Sequence, residues 1–231
     1  MSTKDPTRAP SLQHFLKHKA GSVEKTAKNL IEAEARPITV SVLGARKYIL
    51  ALLSGSMEYD ALVRQAVSDD SVSGRAAQEI LPLIYAFMLD HDVRGFRPVE
   101  EIVFEICPGL KLPIHIYGCA VVDGRLCVLH CQIWKHTSLT ADQFSLWWAI
   151  VLRAIRQRYP EVTNLSWLEL SAVRGNVRQL RVRDQTAARV IPEEELVTFR
   201  HHLEEAVAIY KAAPRAKRPP KRPDPHTPSF I

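Results

Sequence analysis

The chain has 231 residues, 46% hydrophobic and 24% charged, a balance that fits a folded globular protein and excludes a low-complexity one. No window reaches the roughly 18 uninterrupted apolar residues of a membrane span, and the opening MSTKDPTRAPS has no apolar signal-peptide core, so a cytoplasmic protein is expected. The formal charge of +6 is concentrated at one end: beyond Pro214, Arg215, Lys217, Arg218, Lys221 and Arg222 stand against Asp224, net +4, which leaves about +2 for everything else.

In chain order, residues 1–10 read as a disordered leader and residues 11–94 as an all-helical lobe. The pattern is helical from Ser11 to about Ala35, broken at Gly21-Ser22, with Ser22 placed to cap VEKTAKNLIEAEA. Pro37 suits a first helical turn, and ITVSVLGARKYILALLSG follows as an apolar helix stopped by Gly55. MEYDALVRQAVSDD gives a shorter helix with Leu62, Val63, Ala66 and Val67 on one side. RAAQEILPLIYAFMLDHD gives a longer one, in which Pro82 predicts a kink. The lobe carries no metal, phosphate or nucleophile motif.

The texture changes at Gly95-Phe96-Arg97-Pro98, and residues 95–213 read as an α/β core. VEEIVFEI, LKLPIHIYGCAVV and RLCVLHCQIW are predicted as three antiparallel strands. Cys-Pro-Gly turns the first into the second, and Asp123-Gly124 makes the two-residue hairpin turn that needs positive φ at both positions. A helix then runs from Thr140 to about Arg158, its start TADQ forming a capping box with Thr140 as cap and Gln143 three positions inside. NLSWLELSA reads as a fourth strand and NVRQLRVR as a fifth or an edge. Pro192-Glu-Glu-Glu opens a final helix with the stripe Leu196, Phe199, Leu203, Ala206 and Tyr210. The fold class is therefore α/β, a sheet flanked by helices behind a helical lobe. Residues 214–231, rich in Pro, Lys and Arg, cannot build a core and are expected to be disordered, either neutralising nucleic-acid phosphates or keeping the protein soluble.

A two-residue turn at Asp123-Gly124 makes partner numbers sum to 247, since Val122 faces Arg125. His115, Tyr117, Cys119, Val121, Val128, His130, Gln132 and Trp134 then share one face, half of them polar. The opposite face, from Ile114 and Ile116 to Cys127, Leu129, Cys131 and Ile133, is core. The polar face is either a set of side chains satisfying one another under a loop or a site. A metal centre from His115, Cys119 and His130 lacks a fourth ligand and a chelating motif. Cys107, Cys119, Cys127 and Cys131 lack the paired spacing of a zinc ribbon and read as buried thiols. Arg174, Arg178, Arg181, Arg183 and Arg189, with Arg153, Arg156 and Arg158, form either a phosphate-tracking surface or charges that protect a sheet edge.

Gly118-Cys-Ala-Val121, His130-Cys-Gln132, Lys135-His-Thr137 and Gln143-Phe-Ser-Leu-Trp147 follow one another as motif positions do in the PD-(D/E)XK nucleases. From about Val99 to Tyr210 the chain resembles that superfamily, especially its RecB-like branch. The resemblance implies a restriction-endonuclease-like mixed sheet, and in active members two carboxylates holding Mg or Mn beside a lysine that positions the nucleophile. Here Val121, His130 and Gln132 occupy those positions, so the motif is degenerate. His115, Tyr117 and Gln143 would brace what remains. Asp123 is accounted for by its turn, and a relocated site would use Glu105 and Lys135 with His130; Glu101 also lies on the preceding strand.

The implied function is a catalytically degenerate, nucleic-acid-binding or scaffolding subunit of a bacterial DNA-processing or defence-type assembly, without a cofactor. Its nucleic-acid contacts would be Arg174, Arg178, Arg181, Arg183, Arg215, Lys217, Arg218, Lys221 and Arg222. One rival is a Mg- or Mn-dependent nuclease with relocated ligands. Another is a protein-interaction module that docks through the helical lobe. No membrane partner is expected.

Overall fold

Five short strands form a mixed sheet in the computed structural model, and amphipathic helices cover both of its faces. The structure describes residues 11–35, 42–99, 102–107, 110–114, 116–133, 139–160, 164–170 and 177–213. The elements are α1 (Leu12–His18), α2 (Val23–Ala35), α3 (Arg46–Leu53), α4 (Tyr59–Ser68), α5 (Val72–Asp90), β1 (Val93–Pro98), β2 (Ile102–Cys107), β3 (Leu110–Ile114), β4 (Gly118–Val122), β5 (Arg125–Gln132), α6 (Ala141–Arg158), β6 (Asn164–Glu169), β7 (Arg181–Arg183) and α7 (Glu193–Ala212). Short 3-10 turns precede α3 and follow β7. None of the described helices is long and apolar enough to cross a membrane.

The five-stranded sheet has the order β1-β4-β5-β6-β7. Neighbours are antiparallel except β5 and β6, which α6 connects as a parallel pair. Strands β2 and β3 form a separate antiparallel pair. The hairpin has the register expected: Gly118 to Val122 pair with Leu129 to Arg125, every pair summing to 247. Asp123 has φ 50° and Gly124 φ 75°, as the two-residue turn requires.

Several local signals act as read. Ser22 accepts from the backbone N–H of Lys25 at the start of α2. The capping box of α6 is complete, with Thr140 accepting from the Gln143 N–H and Gln143 accepting from the Thr140 N–H. Leu196, Phe199, Leu203 and Ala206 of α7 are buried, with Tyr210 packed beside them. α5 runs unbroken through Pro82, and Val67 of α4 is exposed rather than packed.

Two expectations change. The helices of residues 11–94 do not form a lobe of their own. α1 and α2 pack with α6 and α7 on one face of the sheet, while α3, α4 and α5 cover the other. A sheet apolar on both sides needs cover on both, and each helix has one stripe to give. The second change is in the strands. The predicted run LKLPIHIYGCAVV is two strands, β3 and β4, because Ile114 and Ile116 enter the α6–α7 core whereas Ala120 and Val122 enter the α3–α5 core. Even-numbered residues cannot face opposite sides within one continuous strand, so the chain breaks between them. The place beside β4 is taken by β1, whose sequence VRGFRP carries glycine and an edge proline in place of an apolar alternation.

Gly118 is where β1 and β4 meet most closely. A Cβ there would lie 2.3 Å from the Arg97 carbonyl oxygen and 2.6 Å from the Phe96 ring. Backbone cannot give way as a flexible side chain can, so Gly118→Ala is expected to cost about 1–3 kcal/mol, read as a lowered urea midpoint.

Candidate functional site

The carboxyl ends of β5 and β6, where a parallel pair meets an antiparallel neighbour, bring together the buried polar residues His130, Gln132 and Glu169. Ligands of open α/β sheets are held outside such strand ends. On the α6 face, His130 lies opposite Trp167 and Gln132 opposite Glu169. His130 is 3% exposed, with ring centroids 4.4 Å from Trp167 and 5.0 Å from Trp147. The Gln132 Oε1 accepts from Gln13 Nε2 of α1 at 2.9 Å.

Glu169 is 1% exposed, and sequence reasoning missed it. Its two oxygens are held separately: Oε1 by Arg181 Nη2, and Oε2 by Arg183 Nη2 at 2.9 Å. Both arginines come from β7, paired directly with β6, so the strand register itself brings Arg181 opposite Glu169 and Arg183 opposite Trp167. The Arg183 guanidinium also lies 5.2 Å from the centroid of Phe144. One carboxylate and two guanidiniums leave this cluster net +1. The signal in the sequence was the alternation Leu165, Trp167, Glu169, which puts the acid on the buried face one step beyond a core tryptophan.

Arg178, expected to contact phosphate, is 7% exposed and has a structural task. Its Nη1 donates to the carbonyls of Ile133 (2.8 Å) and Leu170 (2.7 Å), and its Nε to Glu79 of α5 (2.8 Å). It thereby closes the backbone beyond β5 and β6 and ties α5 to the sheet. Arg189 is likewise paired with Asp142 and Glu195, and Arg153 with Glu193. Arg156 is exposed. The predicted arginine surface is therefore largely satisfied within the chain.

The other predicted site residues are distributed as follows. Tyr117 is buried in the α3–α5 core, on the face opposite to that expected, because the chain breaks before Gly118. It still meets the edge of His130, ring centroids 6.5 Å apart. Val121 pairs with Leu126 beside the turn, four residues or about 13 Å from His130 along the strand, so these two motif positions do not form one site. Gln143 uses its side-chain oxygen on its own helix cap rather than bracing Gln132 or His130. Glu105 is exposed and pairs opposite Lys111 in the two-stranded sheet, whereas His130 is enclosed in the other sheet. His115, Trp134, Lys135, Thr137, Arg174, Glu101 and the tail residues Arg215, Lys217, Arg218, Lys221 and Arg222 lie outside the described residues. Asp123 accepts from the Asp92 N–H at 3.0 Å and pairs with His91 Nδ1 at 2.7 Å, contacts that hold its carboxyl below the usual range.

Cys127 and Cys131 are set for packing rather than reactivity: both are buried on the α3–α5 face, and burial pushes both thiols up. Among the described residues, no three His, Cys, Asp or Glu side chains converge to hold a metal ion. No family model matches the chain, and neither the curated proteins nor the solved structures contain a match to it.

Proposed function

We propose that this protein is a catalytically degenerate PD-(D/E)XK-like subunit that binds nucleic acid without cutting it, in a bacterial DNA-processing or defence-type assembly. The meander of β1, β4 and β5, the crossover helix α6 and the parallel strand β6 support a restriction-endonuclease-like frame. The observation that carries the functional reading is the state of Glu169. Hard divalent cations select carboxylate oxygens that are free to coordinate. Both oxygens of Glu169 accept from guanidiniums, its partner on β5 is the neutral Gln132, and Glu169, Arg181 and Arg183 together carry net +1. Such a cluster repels a cation and attracts a phosphate. The net +4 of residues 214–231 acts in the same direction over a longer range.

The test is anisotropy of labelled DNA and RNA over a salt series, run beside a cleavage assay in Mg²⁺ and Mn²⁺. Binding whose affinity falls steeply with salt, with the oligonucleotide intact, is the expected result. Cleavage abolished by Glu105→Ala would establish the relocated nuclease instead. Absence of binding at low salt, with a stable protein partner captured, would establish the interaction module.

A further inference from the structure

Arg178, Arg181 and Arg183 at these strand ends have carboxylate partners, whereas Arg46 has none among the described residues. It opens α3, and its guanidinium lies 5.1 Å from the centroid of the Tyr117 ring. Its Nη2 donates to the Ile116 carbonyl at 3.0 Å. Its Nε is buried without a hydrogen-bond partner, and no carboxylate among the described residues pairs with the side chain. A guanidinium cannot shed its charge, and a partly desolvated charge calls for a counter-charge. The face of Tyr117 supplies only part of it. The first turn of α3 contains no acid to offset it.

The location is as informative as the charge. Tyr117 stands between Arg46 and His130, so this uncompensated cation sits at the strand ends already described, beside the α3–α5 face, while the net +1 cluster of Glu169, Arg181 and Arg183 lies on the α6 face. Among the described residues, two separate excesses of positive charge flank the same strand ends.

We propose that Arg46 is a phosphate-binding residue, with Nη1, which makes no hydrogen bond among the described residues, donating to a phosphodiester oxygen of the bound nucleic acid. Planar guanidinium donors suit phosphate oxygens, and charge-assisted bonds of this kind are short and strong. The inference rests on the nucleic-acid reading above.

The test uses the full-length chain and its Arg46→Gln and Arg46→Lys variants, each first checked for folding by circular dichroism and thermal melting. Lysine keeps the charge over Tyr117 and serves as the charge control; where glutamine fails to fold, Arg46→Met, which keeps an apolar stem against Tyr117 without the charge, takes its place with the same expected slope. Loss of one phosphate contact is expected to reduce the log–log salt slope by about 0.9 on duplex DNA or about 0.7 on a single strand. Between 50 and 200 mM salt that makes Arg46→Gln about three- to fourfold less salt-sensitive on duplex than the parent, with Arg46→Lys keeping the parent slope. If Arg46→Gln binds with the parent slope, the assignment of Arg46 is overturned and the nucleic-acid reading stands. A parent that ignores nucleic acid but is stabilised by millimolar pyrophosphate, in an Arg46-dependent way, keeps the phosphate site and overturns its nucleic-acid source. If neither probe binds, both readings fall.

Discussion

Trp167→Ala is expected to destabilise the protein by about 4 kcal/mol, within the range for truncating a buried aromatic. Trp167 is 1% exposed and sits at the centre of an aromatic cluster, with ring centroids 4.3 Å from Trp147, 4.4 Å from His130 and 5.5 Å from Phe144. The contacts with Trp147 and Phe144 are edge-to-face, the arrangement that adds to simple area burial. Removing the indole would leave a void that α6 and β6 cannot close without moving helix against sheet. For a chain of this size the loss corresponds to about 8–16 °C in Tm. A loss below about 1.5 kcal/mol in urea denaturation would show that the cluster can collapse and is not the centre of this core.

Glu169→Ala carries the second large expected effect, about 3 kcal/mol. Breaking a buried ion pair leaves the remaining charge uncompensated, and here two guanidiniums would be left together. The expectation lies at the lower end of the range for buried pairs because the Arg181 side chain is 40% exposed and Arg183 21%, so water can partly replace the carboxylate. Restoring stability by adding Arg181→Met and Arg183→Met to Glu169→Ala, relative to Glu169→Ala alone, would identify the orphaned charge as the cause. If Glu169→Ala were neutral, the carboxylate would not be organising β6 against β7.

The parts of the fold that were legible in the sequence are those fixed by neighbours along the chain. Ser22, the Thr140–Gln143 box and the Asp123-Gly124 turn each depend on residues within three positions. The hairpin register follows from the turn alone. β1 escaped because an edge strand needs apolar residues only where it touches β4, and Gly95, Arg97 and Pro98 conceal the pattern. The break between β3 and β4 escaped because both strands are apolar and alternating, and only the two faces of the finished sheet show the change of side.

The candidate site was half legible for a similar reason. His130 and Gln132 stood out as polar residues on a half-polar face, and they lie buried at the strand ends. What a sequence shows of an arginine is its charge and not its partner. Arg178 reaches Glu79 across 99 positions, and Gln132 meets Gln13 across 119. A patch that reads as phosphate-tracking is thus largely internal structure, while Arg46, within a helix that showed no motif, is left with the unmatched charge.

The most direct test of the central claim compares the parent and Glu169→Gln on one labelled oligonucleotide in Mn²⁺, measuring affinity and strand integrity together. Removing the carboxylate's charge raises the local excess from +1 to +2 in the Glu169, Arg181 and Arg183 cluster. The expected result is tighter binding by the variant, a steeper salt dependence, and an uncut strand with both proteins. A strand cut by the parent and left intact by Glu169→Gln would make Glu169 part of a working nuclease and contradict the account.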